Sequence, residues 1–144
     1  MNAKPNLSIY LVLEWDGNIL LALRHNTGYE DGNYALVAGH AEIGEPATYS
    51  MCREAKEEIG ITILPEDLEV VHVMHRVGNR ENLDVFMRPK KYSGGIQNME
   101  PDKCLDVKFF PKDNLPENMV EYIKIVLQNI EKKIPYAEYG WKSW

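Results

Sequence analysis

Cysteine is scarce, with two in 144 residues, and Cys52 and Cys104 stand in no metal-binding spacing. A zinc ribbon or a disulfide-stapled scaffold is excluded on that count, and reduced, buried thiols are the expectation. Positive charge is short as well: 16 Lys and Arg face 22 Asp and Glu, a formal net charge of −6. Affinity for a nucleic-acid polymer comes mostly from cations that neutralise phosphates, so no such partner is expected. A small phosphorylated ligand would then need a metal cation between itself and the protein. Long apolar runs are also missing. The opening MNAKPNLSIYLVLEW carries one Lys and an apolar stretch that breaks at Glu14, which fits neither a secretory signal nor a membrane span. A soluble, cytoplasmic protein without membrane contact is the expectation. No repeat, low-complexity block or linker divides the chain, so residues 1–144 are expected to form one domain, with 44% hydrophobic content to fill a core.

What is present begins with strand patterns. Leu7 to Glu14 is rich in aliphatic and β-branched residues, Asp16-Gly17-Asn18 supplies a turn, and Ile19 to Arg24 resumes the apolar run, which predicts a hairpin. Residues His25 to Asn33 are polar and contain glycine, as a loop should, before a brief strand at Tyr34 to Val37. Leu68 to Val77 and Asn82 to Pro89 predict a second hairpin about Gly78-Asn79-Arg80. A loop over Tyr92 to Lys103 leads to a strand at Leu105 to Phe110 that ends at Pro111. Met119, Val120, Ile123, Val126, Leu127 and Ile130 recur at helical spacing and predict an amphipathic helix over Glu117 to Lys132. Strands interrupted by one helix and closed by another read as α/β or α+β.

The interrupting helix carries the chemistry. Pro46 suits its first turn, Ala47, Met51, Ala55 and Ile59 form an apolar stripe, and Gly60 is placed to end it. With 3.6 residues per turn, Glu54, Glu57 and Glu58 fall within an arc of ~100° on the other side. A run of Glu and Lys on a helix is commonly a solvated face. Three crowded carboxylates repel one another, however, and a hard divalent cation such as magnesium relieves that repulsion while also holding phosphate oxygens. The face therefore reads as a metal site awaiting phosphate.

The flanks sharpen this reading. Residues 39–61, GHAEIGEPATYSMCREAKEEIGI, match G-x5-E-x7-R-E-U-x-E-E-x-G-U at every position, with Ala55 and Ile61 at the apolar U positions, and so resemble the signature of the Nudix hydrolases. The resemblance implies an α/β/α sandwich around a central mixed β-sheet and a magnesium-dependent enzyme, with manganese as a possible substitute. It implies Glu54 and Glu58 as metal ligands, Glu57 as a ligand or as one acting through water, and a backbone carbonyl of Ala38 or Gly39 completing the shell. Arg53 can pair with Glu57 at i+4 and orient carboxylates. Glu54 is the first candidate for the general base. Glu100, which precedes Pro101 much as in the loop acid of nucleoside-triphosphate members, is the second. Many members have Leu-Pro-Gly-Gly ahead of the motif where this chain has Leu36-Val37-Ala38-Gly39-His40, a loss of proline that leaves the carbonyl-bearing loop less constrained.

Substrate contacts are expected from Tyr29, stacking on a base, from Arg24 or Arg76, gripping phosphate, and from His40. Trp141 and Trp144 are candidates to close over a pocket or over a second copy in a homodimer. The leading activity, by resemblance to the MutT-type members, is hydrolysis of a nucleoside triphosphate to the monophosphate and pyrophosphate. Only about six residues precede the first predicted strand, leaving little room for the N-terminal dimerising region that nucleotide-sugar members often carry. The alternatives are hydrolysis of a nucleoside diphosphate linked to another moiety, such as a sugar or a second nucleoside, and a binding module that has lost catalysis.

Overall fold

Alternation along the first strand sets the architecture. Ile9 and Leu11 are buried with Met51, Ala55 and Ile59, whereas Tyr10 and Val12 are buried with Ile123 and Val126. Because successive side chains on a strand point to opposite faces, one sheet must carry a helix on each side. The computed structural model describes residues 4–142 and bears this out. Trp144 lies outside the described residues. In chain order the elements are β1 (Asn6–Leu11), β2 (Glu14–Trp15), β3 (Asn18–Arg24), β4 (Tyr34–Ala35), β5 (Ala38–His40), α1 (Ala47–Ile59), a 3-10 turn at Pro65–Asp67, β6 (Leu68–Val77), β7 (Glu81–Pro89), β8 (Cys104–Pro111), α2 (Glu121–Glu131) and β9 (Tyr136–Tyr139). The larger sheet runs β5-β1-β7-β6-β9. Its β1–β7 and β6–β9 pairs are parallel and its β1–β5 and β6–β7 pairs antiparallel, so it is mixed. In the second sheet β3 pairs with β8 over its whole length and with β2 and β4 at its two ends.

The predicted β6–β7 hairpin, the strand before Pro111 and the motif helix are all present. The first hairpin is not as predicted. Only Glu14–Trp15 folds back on Asn18–Ile19, while β1 pairs with β5 and β7 instead. Val12 and Leu13 make the crossing: the Val12 N–H bonds to the Met87 carbonyl at 2.8 Å, and the Leu13 carbonyl accepts from Leu20 at 2.9 Å. The apolar run is continuous because both of its halves are buried, though in different sheets. The last helix begins at Glu121 rather than Glu117, since Tyr34 donates to the Asn118 carbonyl and accepts from Val120, which keeps that stretch extended. Strand β9 was unmarked in the sequence, because four residues are too few for alternation to register.

Helix α1 ends where Gly60 adopts φ 75° and its N–H bonds to the Lys56 carbonyl. A Cβ there would lie 3.4 Å from Met99 Sδ, in a conformation that L-residues avoid. Gly60→Ala is therefore expected to lower stability by about 1–2 kcal/mol, the cost of a left-handed non-glycine residue, measured by urea denaturation.

Candidate active site

A loop that docks on the end of α1 completes the acidic face. The Gln97 and Met99 N–H groups bond to the Ile59 and Glu58 carbonyls, each at 3.0 Å, satisfying acceptors that a helix terminus leaves open. Asn98 then fixes the next residue: its Oδ1 accepts from the Glu100 N–H at 3.1 Å and its amide donates to the Cys104 carbonyl at 2.7 Å. Glu100 is thereby carried to Glu58, and both line one cleft of about 190 Å³.

Arg53 ties the rest together. Its Nε and Nη2 donate to the two oxygens of Glu45 at 2.9 and 3.0 Å, and its Nη1 donates to Glu54 at 2.9 Å and to Glu57 at 3.3 Å. A longer contact, 3.5 Å, reaches the His40 carbonyl. Glu45 also accepts from the Ser50 hydroxyl. Arg53 and then Ser50 hold the Glu45 carboxyl down at about 2. Glu45 belongs to the motif, and its side chain holds the guanidinium that also bonds Glu54 and Glu57. Arg53 thus bonds three carboxylates at once.

Glu54 lies directly over Gly39. A Cβ at that position would sit 2.3 Å from Glu54 Cδ and 2.5 Å from its Oε1, so only glycine admits the carboxylate there. Gly39 and Ala38 belong to β5, paired with Ile9 and Tyr10 of β1. Glu58 is partly buried, and its Oε2 is enclosed without a hydrogen-bond partner among the described residues. Burial foremost, with Glu54 and Glu100 adding repulsion, pushes its carboxyl up to about 9. Glu100 is raised too, by burial and then by Glu54, Asp102 and Glu57. Glu57 stands half-exposed at 53%. As placed, no three Asp, Glu, His or Cys side chains among the described residues converge closely enough to grip an ion. Arg53 draws Glu54 aside and Glu57 points outward. The donors nevertheless fit a hard cation, being all oxygen, with one orphaned buried atom and neighbours whose charges oppose one another.

A second cleft, of about 250 Å³, opens on the α2 side and is lined in part by Tyr10, Tyr29, His40, Arg76, Val120 and Tyr122. Arg24, Leu36 and Ala38 line both clefts, so the two adjoin. Arg24 is engaged with its own loop, donating to the Tyr29 carbonyl at 2.7 Å and to Thr27 at 3.1 Å, and its guanidinium lies 5.5 Å from the centre of the Tyr29 ring. Arg76 is committed to Asp84 and lines only the α2-side cleft, which places it away from the acids. Trp141 donates to the His75 carbonyl at 2.9 Å, packs its ring tilted at 54° against the His75 ring with centroids 4.6 Å apart, and lines neither cleft.

The Glu58 carboxyl binds its proton more tightly folded, near 9, than at its ordinary 4.5. Its stabilising contribution is complete below pH 4.5 and is lost as pH rises through 9. In metal-free buffer the melting temperature is expected to fall from pH 5 to 9, and Glu58→Gln to flatten that fall, as followed by circular dichroism.

A family model of the NUDIX domain matches residues 4–130. The NAD-capped RNA hydrolase NudC of Shigella dysenteriae is 29% identical over 108 residues, 75% of this chain and 40% of that protein. The protein of the same name from Stutzerimonas stutzeri is 29% identical over 113 residues, 78% and 39% respectively. The chain thus spans about 40% of the length of these curated relatives. Among solved structures, the MutT NUDIX hydrolase from Burkholderia pseudomallei superposes with a TM-score of 0.80 over 87% of this chain and 97% of that one, at 25% identity. The MutT protein from Methanosarcina mazei gives 0.79 over 92% and 97%, at 14% identity, a likeness of fold alone. With its motif helix, its mixed sheet between two helices and a family model over most of its length, the chain belongs to the NUDIX family.

Proposed function

We propose that this protein hydrolyses a nucleoside 5′-triphosphate to the monophosphate and pyrophosphate, with magnesium as cofactor and manganese as a substitute. The observation that carries the reading is the pair of adjoining clefts, one walled by tyrosines and the other by Glu58 and Glu100, meeting at Ala38 and Arg24. A nucleoside in the first would lead its phosphates past Arg24 into the second. Glu54, Glu57 and Glu58, with a carbonyl of Ala38 or Gly39, are the residues that would hold the ion. Such an ion supplies charge to the phosphoryl oxygens and acidifies a bound water. Arg53 keeps Glu54 against Gly39 and the β5 backbone. Glu54 and Glu100 are the two carboxylates that can take the water's proton. Glu100 is raised by burial and then by its acidic neighbours, which brings its proton affinity closer to working pH, where a general base is most effective.

A second reading is supported by the relatives named for NAD-capped RNA: a nucleoside diphosphate linked to another moiety. The products separate the two. Pyrophosphate and a monophosphate identify the first, and two monophosphates the second. Turnover by neither route would leave a binding module.

Removing the metal site is expected to abolish turnover. Glu58→Gln should lower kcat by roughly 100-fold or more at saturating magnesium, and unchanged magnesium-dependent rates would refute the ligand set. The base is identified by comparing Glu54→Gln with Glu100→Gln: loss of the true base should cost about 10²–10⁴-fold in kcat and remove the acidic limb of the pH–rate profile. The other variant should retain that limb.

A further inference from the structure

Arg76 is buried, 8% exposed, and Asp84 behind it is completely buried. Its Nε donates to Asp84 Oδ2 at 2.6 Å, and its Nη2 donates to Asp84 Oδ1 at 3.3 Å and to the Tyr10 hydroxyl at 3.4 Å. The face of the guanidinium lies 4.1 Å from the centre of the Tyr122 ring. Two edges and a face of the group are thus fixed. The remaining nitrogen, Nη1, has no hydrogen bond to any described residue. The buried side-chain polar atoms without a partner among the described residues are Glu58 Oε2 and His72 Nε2, so Nη1 is not sealed in the core. Arg76 lines the tyrosine-walled cleft, and Nη1 is the nitrogen it has not committed to a described residue.

We propose that Arg76 determines base specificity, donating from Nη1 to a ring carbonyl of the nucleobase, so that the ligands are nucleotides of oxo bases rather than of adenine. The inference rests on the reading of the clefts as a nucleotide site. Asp84 neutralises Arg76, so what the cleft floor presents is a directional N–H donor with little net charge. Such a donor suits a neutral carbonyl better than a phosphate. The walls fit a flat ring: Tyr10, Leu36, Val120 and Tyr122 are apolar bodies around a space of about 250 Å³. The hydroxyls of Tyr10 and Tyr122 are already spent, 2.9 Å from each other, with Tyr10 also donating to Asp84 at 3.2 Å. Burial raises both phenols, which keeps them protonated and in that pairing. His40 and Tyr29 are exposed at the rim. Ser8 is buried at the cleft, but a hydroxyl both donates and accepts and selects neither kind of edge. A guanidinium nitrogen only donates. Guanine, hypoxanthine, cytosine and uracil each offer a ring carbonyl. Adenine has no carbonyl: in the pose that sets a purine O6 against Nη1 it presents its amino group, and the donor is left unpaired unless the ring turns to offer N1, N3 or N7. A site built for a hydrogen bond rejects the analogue that lacks it.

The test is calorimetric titration of the intact protein with inosine and adenosine 5′-monophosphates, which differ in one substituent of the base. Inosine monophosphate is expected to bind about tenfold tighter. Arg76→Lys keeps a cation beside Asp84 but lacks the second terminal nitrogen, and should bring the two affinities to within threefold. Its melting curve reports whether it is folded. A wild-type ratio below threefold, no binding of either compound at millimolar concentration, or a folded Arg76→Lys protein that keeps the full ratio would each overturn the proposal. If Arg76→Lys does not fold, the wild-type pair decides alone. The preference does not require turnover: if it holds while neither triphosphate is cleaved, the hydrolytic reading fails and this one stands. If both triphosphates are cleaved and both monophosphates bind equally, the hydrolytic reading stands and this one falls.

Discussion

Repulsion between carboxylates is the constraint on which the site depends. Burial raises the proton affinity of Glu58 and Glu100, and the neighbouring carboxylates, Glu54 foremost, raise it further. A chain that had merely to fold would place such groups in water. Here three devices hold them in place: the apolar stripe of Met51, Ala55 and Ile59 that packs α1 on the sheet, the Arg53 guanidinium shared among Glu45, Glu54 and Glu57, and the backbone bonds that dock the 97–99 loop on the helix end. The stability that packing provides is partly spent on keeping like charges together, as is common where a site is prepared for a cation.

Much of this was legible in the sequence, and for a physical reason. The motif helix announces itself because helical geometry, a terminating glycine and a fixed run of acids all act over short distances. The β6–β7 hairpin was equally plain, with a turn between two apolar runs. What could not be read was long-range. The sheet partners of β1 depend on Met87 and Val37, far along the chain, and the division of Leu7–Glu14 between two sheets has no local mark. The four-residue β9 is defined by its pairing with Val73 to Arg76. Glu45 shows the same limit inside the motif. Its spacing was evident, but the fact that it anchors Arg53 across eight residues emerges only when the loop before α1 has folded back.

The two arginines singled out for phosphate illustrate the difference between a residue type and its setting. Arg24 stands at the junction of the clefts, though its donors are occupied by its own loop. Arg76 carries an equal formal charge, yet the fully buried Asp84 cancels most of its field and leaves it as a donor of defined direction. Sequence spacing assigns neither setting, because Asp84 meets Arg76 through the pairing of two strands.

The β5 strand is the rim of the larger sheet, with acids of α1 to one side and the tyrosine-walled cleft to the other. Any molecule that occupies both must straddle that rim, with its reactive linkage on one side and its distinguishing head on the other. The two clefts share only Ala38, Leu36 and Arg24 among the residues that line them. Side chains on the α2 flank can therefore be exchanged without touching the acid helix, so the shape of one hollow is free to change while the other stays as it is.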